Sequence, residues 1–102
     1  MLRFMRVEGS SLQPEYQEGD FVLILTGSLL PARIKQGDVI VFQHAEYGQL
    51  IKRVTHVLRD EVYVTGTQPN SLDSRRLGPI PRHTINGKVL WHIQRLGQAP
   101  AA

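Results

Sequence analysis

Apolar residues fall into short runs separated by turn-forming residues, and several runs alternate apolar and polar positions as strands do. Residues 3–8 predict a first short strand. Glu18-Gly19-Asp20 is a turn signal that opens the run Phe21-Val22-Leu23-Ile24-Leu25. That run is apolar on both faces, which predicts a central strand or a strand within a barrel-like core. Thr26-Gly27-Ser28 breaks it, and residues 29–34 form a connection. Gln36-Gly37-Asp38 then repeats the turn signal before Val39-Ile40-Val41-Phe42. The two Gly-Asp turns read as one device used twice, not as an internal repeat, because their flanks do not match.

Gln43–Gln49, with Gly48, suits a hairpin loop. A strand of period two follows over Leu50–Leu58, with Leu50, Lys52, Val54, His56 and Leu58 on one face and Ile51, Arg53, Thr55 and Val57 on the other. Arg59-Asp60-Glu61 turns into Val62–Thr65. Residues 66–75 are a turn-rich loop, and Gly78-Pro79-Ile80-Pro81 is extended. Ile85-Asn86-Gly87-Lys88 is a further turn signal. In a last strand Val89, Trp91 and Ile93 alternate with Lys88, Leu90 and His92. No stretch carries convincing helical periodicity. The pattern predicts an all-β domain, either a small coiled antiparallel sheet or a partly open barrel.

A chain of 102 residues predicts one domain, here 1–96, followed by a small, polar tail over 97–102 expected to be disordered. Apolar residues at 41% and charged residues at 21% fit a globular domain with a modest core. The absence of cysteine excludes disulfides, thiolate catalysis and cysteine metal sites. The formal charge of +3 is spread along the chain with no run of like charges, so no nucleic-acid arm is indicated. No apolar run reaches the roughly 18 residues that span a bilayer. The first six residues are too few and too charged for the apolar core of a signal peptide. A soluble, cytoplasmic protein is the expectation. Leu2, Phe4 and Met5 suit peripheral contact with a membrane or a partner, and suit an edge strand or frayed terminus better.

Candidate chemistry begins at Val7-Glu8-Gly9-Ser10-Ser11-Leu12-Gln13-Pro14. A glycine tolerant of unusual backbone angles and a proline that locks its own frame a serine on a tight bend. A hydroxyl held there, flanked by backbone N–H groups, meets the needs of a nucleophile with an oxyanion hole. A serine-rich turn between strands explains the same residues without chemistry. A second residue tips the balance. A lysine acts as a general base only when neutral, and its ordinary pKa near 10.4 forbids that at pH 7. Burial among apolar groups lowers it by roughly 3 to 5. Lys52, between Leu50 and Val54 on a mostly apolar face, has such neighbours, although a lysine snorkelling to solvent would look alike in sequence.

Taken in order, Gly9-x-Ser11-Leu12-x-Pro14, Glu18-Gly19-Asp20-Phe21-Val22-Leu23, Gly37-Asp38-Val39-Ile40-Val41-Phe42, Ile51-Lys52-Arg53-Val54 and Ser71-x-Asp73-Ser74-Arg75-x-x-Gly78-Pro79 resemble the type I signal peptidase family of serine endopeptidases. The resemblance runs from about Val7 to about Val89 and implies the coiled β-fold that signal peptidases share with LexA-type proteins. It implies Ser11 as nucleophile, Lys52 as general base, Ser71 as the hydroxyl that orients the lysine amine, and the Ser11 N–H as oxyanion donor. It also implies a structural salt bridge of Asp73 with Arg75, with Arg53 nearby.

Leu12 replaces the usual methionine, Glu15 the usual threonine, and Gly66-Thr67-Gln68 opens a loop one residue short. Gly9 removes the hydroxyl that some members use as a second oxyanion donor. The family's membrane-anchoring helix and large second domain have no counterpart here. In that minimal form the chain resembles the short, soluble branch of nickel-type superoxide dismutase maturation proteases. The implied partner is a protein or peptide with a cleavable leader, bound extended. No cofactor, no metal and no nucleic acid is implied.

Three other readings compete. A LexA-type self-cleaving repressor, or its mutagenesis relative, also carries a Ser/Lys dyad, but would be expected to have its own cleavage segment and a DNA-binding domain before the serine. A non-catalytic peptide-binding module would share the fold. A Ser-His-Asp triad or a metal site would need His44 or His56, whose scattered placement suits packing or surface roles better.

Overall fold

The computed structural model describes residues 1–7, 19–27, 33–65 and 77–93. Seven strands form one antiparallel sheet: β1 (Leu2–Arg6), β2 (Phe21–Leu25), β3 (Val39–His44), β4 (Gly48–Val57), β5 (Glu61–Thr65), β6 (Ile80–Pro81) and β7 (Ile85–Ile93). Their spatial order is β1-β2-β7-β3-β4-β5-β6. Among the described residues the sheet does not close, and β1 and β6 are its edges. A 3-10 turn, Arg82–Thr84, joins β6 to β7. The expected all-β class, as an open and coiled sheet, is what the chain adopts.

Both faces of the sheet carry a core. One cluster gathers Ile40, Phe42, Val54, Val62, Val64 and Ile85, with Ile34 and Ile80 against them. The other gathers Val22, Ile24, Val39, Val41 and Ile51, with Val7 and Met5 of the first limb folded onto them. Val39 and Val41 alternate with Ile40 and Phe42, so β3 feeds both clusters and is buried along those four residues. A contact between the Gln49 amide and the Met5 sulfur, 3.3 Å, shows how far the sheet coils, since β1 and β4 are four places apart in it.

The two Gly-Asp turns share one hydrogen-bond pattern. Gly19 and Gly37 have φ of 93° and 91°, a left-handed conformation that glycine adopts without strain. Gly19 N–H donates to the Val7 carbonyl at 2.9 Å and Val7 N–H to the Asp20 carbonyl at 2.7 Å. Gly37 N–H donates to the Val54 carbonyl at 2.8 Å and Val54 N–H to the Asp38 carbonyl at 2.7 Å. Each aspartate then meets β7, the strand lying between β2 and β3. Asp20 takes His92 at 2.6 Å and Asp38 takes Lys88 at 3.3 Å. The device read twice in the sequence is one solution to entering a strand beside β7.

The structure corrects the sequence reading at four places. The first strand is Leu2–Arg6, earlier than 3–8, and Val7 belongs to the turn's pairing. The β3–β4 loop is only Ala45–Tyr47, because the hairpin pairing continues to His44↔Gly48. Ile85–Lys88 is strand, not turn. Gly87 is there because a side chain does not fit: a Cβ would lie 3.0 Å from Ile24 Cδ1 and 3.3 Å from the Leu25 carbonyl oxygen.

The fourth correction concerns faces. The β4–β5 register slips between Val54 and His56, leaving Thr55 as an extra residue. Beyond it the alternation inverts. Val57 packs against the first cluster, while His56 is exposed and Leu58 is 45% exposed. A similar slip in the β2–β7 pairing leaves Leu90 over, so Val89 faces inward with Ile24, and Trp91 and Ile93 face outward with Leu23 and Phe21. Strict period-two counting fails at a bulge because one residue is spent without changing partner.

Candidate functional site

Lys52 sits mid-strand in β4, opposite Ile40 on β3. Paired residues share a face, so its side chain leaves the sheet on the side of Ile40, Phe42, Leu50 and Val54, all members of or packed against the first core cluster. Lys52 is only 2% exposed, and Lys52 and Asp20 are the buried charged residues of the described core. The snorkelling alternative is thereby removed. Burial disfavours an ammonium ion unless it is compensated, and favours the neutral amine.

Among the described residues the β4–β5 pairing runs up to Arg53↔Thr65, next to Lys52.

Ser11 lies outside the described residues, as do Ser71, Asp73 and Arg75 and the backbone N–H assigned to the oxyanion. The limbs that bracket 8–18 are described. They are tied together by the Val7–Gly19–Asp20 hydrogen bonds, so the segment holding Ser11 starts and ends at one place beside the second core cluster.

Arg53 faces away from Lys52. It is half-buried, and its guanidinium donates to the Gly37 carbonyl at 3.1 Å, bracing the Gly-Asp turn before β3.

The histidines have structural occupations. His44 Nδ1 accepts the N–H groups of Glu46 at 3.0 Å and Tyr47 at 3.3 Å, and so shapes the β3–β4 turn. His56 lies edge-on to Tyr63 and is exposed. Among the described residues no three His, Asp or Glu side chains converge as a metal site.

The buried Asp20–His92 pair was not singled out from the sequence. Asp20 reads there as a turn residue and His92 as one strand position among several. The available signal was the recurrence of Gly-Asp before a strand. A cavity of about 430 Å³ between β1, β2, β4 and β7 is lined by Met1, Arg3, Met5 and Gln49 among others. It does not include Lys52 and opens on the other face of β4.

The fold is an open, coiled antiparallel sheet with a lysine buried on one apolar face. The peptidase S24-like family matches residues 1–90, and the chain belongs to that family. No curated protein matches the chain.

Proposed function

We propose that this chain is a serine endopeptidase in which Ser11 is the nucleophile and Lys52 the general base. One observation carries the reading: a lysine 2% exposed on the face of a hydrophobic core. Its support is the family's serine-peptidase character, together with the order of the motifs around Ser11, Lys52 and Ser71.

In this reading the neutral Lys52 amine takes the Ser11 hydroxyl proton as Oγ bonds to the scissile carbonyl carbon. The Ser11 N–H holds the developing oxyanion. The tetrahedral intermediate collapses, the C–N bond breaks, and Lys52 returns its proton to the leaving amine. Water, deprotonated by the same amine, then releases the acyl group and restores the Ser11 hydroxyl. Ser71 orients the Lys52 amine, and Asp73 with Arg75 braces the segment that carries Ser71.

The substrate is an extended protein segment, and the finer reading is removal of an N-terminal leader, such as that of a nickel superoxide dismutase precursor. The family match gives a second reading equal standing, self-cleavage of the LexA kind. Purified chain incubated alone, and with a leader-bearing precursor, separates them by mass spectrometry of the products. An acylating serine-hydrolase probe tests the reading they share. It should add its mass to Ser11, and no adduct on wild type under conditions that label a control serine peptidase removes the dyad.

A further inference from the structure

We infer that the cavity between β1, β2, β4 and β7 is a binding site for a small organic acid, a carboxylate carried on an apolar body. Its volume of about 430 Å³ lies within the range of about 300–1,000 Å³ that small-molecule sites occupy.

The strand registers build it. Arg3 on β1 is paired with Ile24 on β2, and paired residues share a face, so both stand on the side of the second core cluster. Gln49, two residues before Ile51 on β4, stands on that side too. β7 contributes through an irregularity. Its pairing with β3 passes from Val41↔Gly87 to Phe42↔Ile85, which leaves Asn86 over and brings it to the cavity. Gly87 beside it has no side chain, so Ile24 packs down against β7 and floors the space. Coiling of the sheet closes the remaining wall. The Gln49 amide donates to the Met5 sulfur at 3.3 Å and ties β4 to β1 across the gap.

The chemistry of the lining selects the ligand. Ile24 is 4% exposed and Met5 is partly buried, and with Met1 they make an apolar floor. Arg3, Gln49 and Asn86 are exposed at the rim. The guanidinium is always charged and offers donors in a planar fork, and each amide adds an NH₂ group. Among the described residues no carboxylate lines the cavity. The Thr26 hydroxyl donates to the Met1 carbonyl at 3.1 Å, so that pair is used within the wall. The thioether that holds the Gln49 N–H is a weak acceptor, and an anionic oxygen displaces it. One cation and two amides around an apolar floor call for an anion with two acceptor oxygens, which a guanidinium takes in bidentate fashion. The floor then favours a hydrocarbon body behind the carboxylate over an inorganic anion. The cavity opens on the face of β4 away from Lys52, so this ligand is not the substrate of the proposed dyad.

Hexanoate is the probe, titrated into the isotope-labelled full chain and followed by heteronuclear NMR. The expected result is saturable shifts at the backbone amides of Arg3, Met5, Ile24, Gln49 and Asn86 and at the side-chain NH₂ groups of Gln49 and Asn86, weakened by salt. Hexanamide has the same shape without the charge and should bind at least about tenfold more weakly. Arg3→Gln should weaken hexanoate by about tenfold, and Gln49→Ala and Asn86→Ala by about threefold each. All three positions are exposed, so the circular dichroism should not change. N-acetyl-leucine presents the same chemistry as a polypeptide terminus. Tighter binding than hexanoate assigns the site to a chain's C-terminal carboxylate, and weaker binding assigns it to a free acid.

Shifts that never saturate overturn the proposal, as does equal binding of hexanoate and hexanamide. Saturable shifts around Ile40, Val54 and Val64 would place the ligand on the Lys52 face and overturn the assignment to this cavity. Wild-type affinity in Arg3→Gln overturns the role of the guanidinium. The titration reads no peptide cleavage, so its failure is separate from failure of the peptidase reading.

Discussion

His92→Ala is the substitution whose consequence the fold states most directly. Asp20 is 1% exposed, and its Oδ2 lies 2.6 Å from His92 Nε2, with side-chain exposures of 2% and 19% for the aspartate and the histidine. The ring nitrogen donates to a carboxylate that water barely reaches. A hydrogen bond to a charged group contributes about 1.5–3 kcal/mol. The partial exposure of His92 lets water replace some of that, so the expected loss is about 2–3 kcal/mol. For a domain this size that is a fall in Tm of roughly 10–20 °C.

Asp20→Asn keeps the shape and a polar partner, and should lose about 1 kcal/mol. Urea melts of wild type, both single variants and the double variant give the coupling energy of the pair. A coupling near zero, with His92→Ala within about 0.5 kcal/mol of wild type, would refute the argument that this pair holds the turn. The same turn closes the base of the segment containing Ser11, through Val7 N–H and the Asp20 carbonyl. In the peptidase reading His92→Ala therefore lowers kcat more than it raises KM, at a temperature where the variant is folded.

Other predictions follow from single positions. Ser11→Ala and Lys52→Ala should each abolish cleavage in a precursor or self-cleavage assay. Lys52→Met, of similar length and placed among apolar neighbours, should abolish cleavage while shifting stability by less than about 1.5 kcal/mol in urea melts. Only the uncharged amine accepts a proton, so the cleavage rate should rise with pH as Lys52 loses its proton; a rate flat from acid to alkaline pH would argue against a titrating amine. Gly87→Ala places a Cβ 3.0 Å from Ile24 Cδ1 and 3.3 Å from Ile24 Cβ, and should cost about 1–2 kcal/mol, read as a lowered Tm.

Much of this architecture is legible in the sequence, and the failures have one cause. Phe21–Leu25 as a strand, the Gly-Asp entrances to β2 and β3, and the face shared by Leu50, Lys52 and Val54 all follow from local pattern, because period and turn chemistry are local properties. The inversions after Val54 and at Leu90 are not local. A bulge at Thr55 leaves Thr55 itself looking like any strand residue, and only its partner Tyr63, pairing one step late, reveals it. Gly87 misleads for the same reason: it reads as a turn former, yet it is there to let Ile24 of a distant strand approach. Within the candidate site, the place of Lys52 on an apolar face was legible because it lies on one periodic strand, but its burial was not, since a lysine snorkelling to solvent gives the same pattern. Asp20 with His92 was not, because the partners are 72 residues apart and the Gly-Asp motif that holds Asp20 says nothing of His92.

The bulges also decide what can happen on each side of the sheet. One row of paired residues runs Lys52↔Ile40↔Lys88↔Leu25↔Leu2 across five strands. All five side chains therefore point to the same side, and Lys52 is four strand spacings, about 19 Å measured along the sheet, from Leu2 on the edge strand. Over β3, β4 and β5 that side carries the first core cluster, with Ile34, Ile80 and Leu77 packed on it. Over β1, β2 and β7 it is open and apolar. Had Leu90 not been left over, Trp91 would turn inward with Val89 and the open half would lose its largest exposed side chain. Deleting Leu90 should close the bulge without changing the partner of either neighbour, so Val89 stays opposite Ile24 and Trp91 stays outward opposite Leu23. Lys52 belongs to the β3–β4 pairing, which that change does not enter, so its amine should resist amine-reactive acetylation in native buffer as in wild type. Acetylation of Lys52 in the deletion variant alone would show that the two halves of the face are not independent.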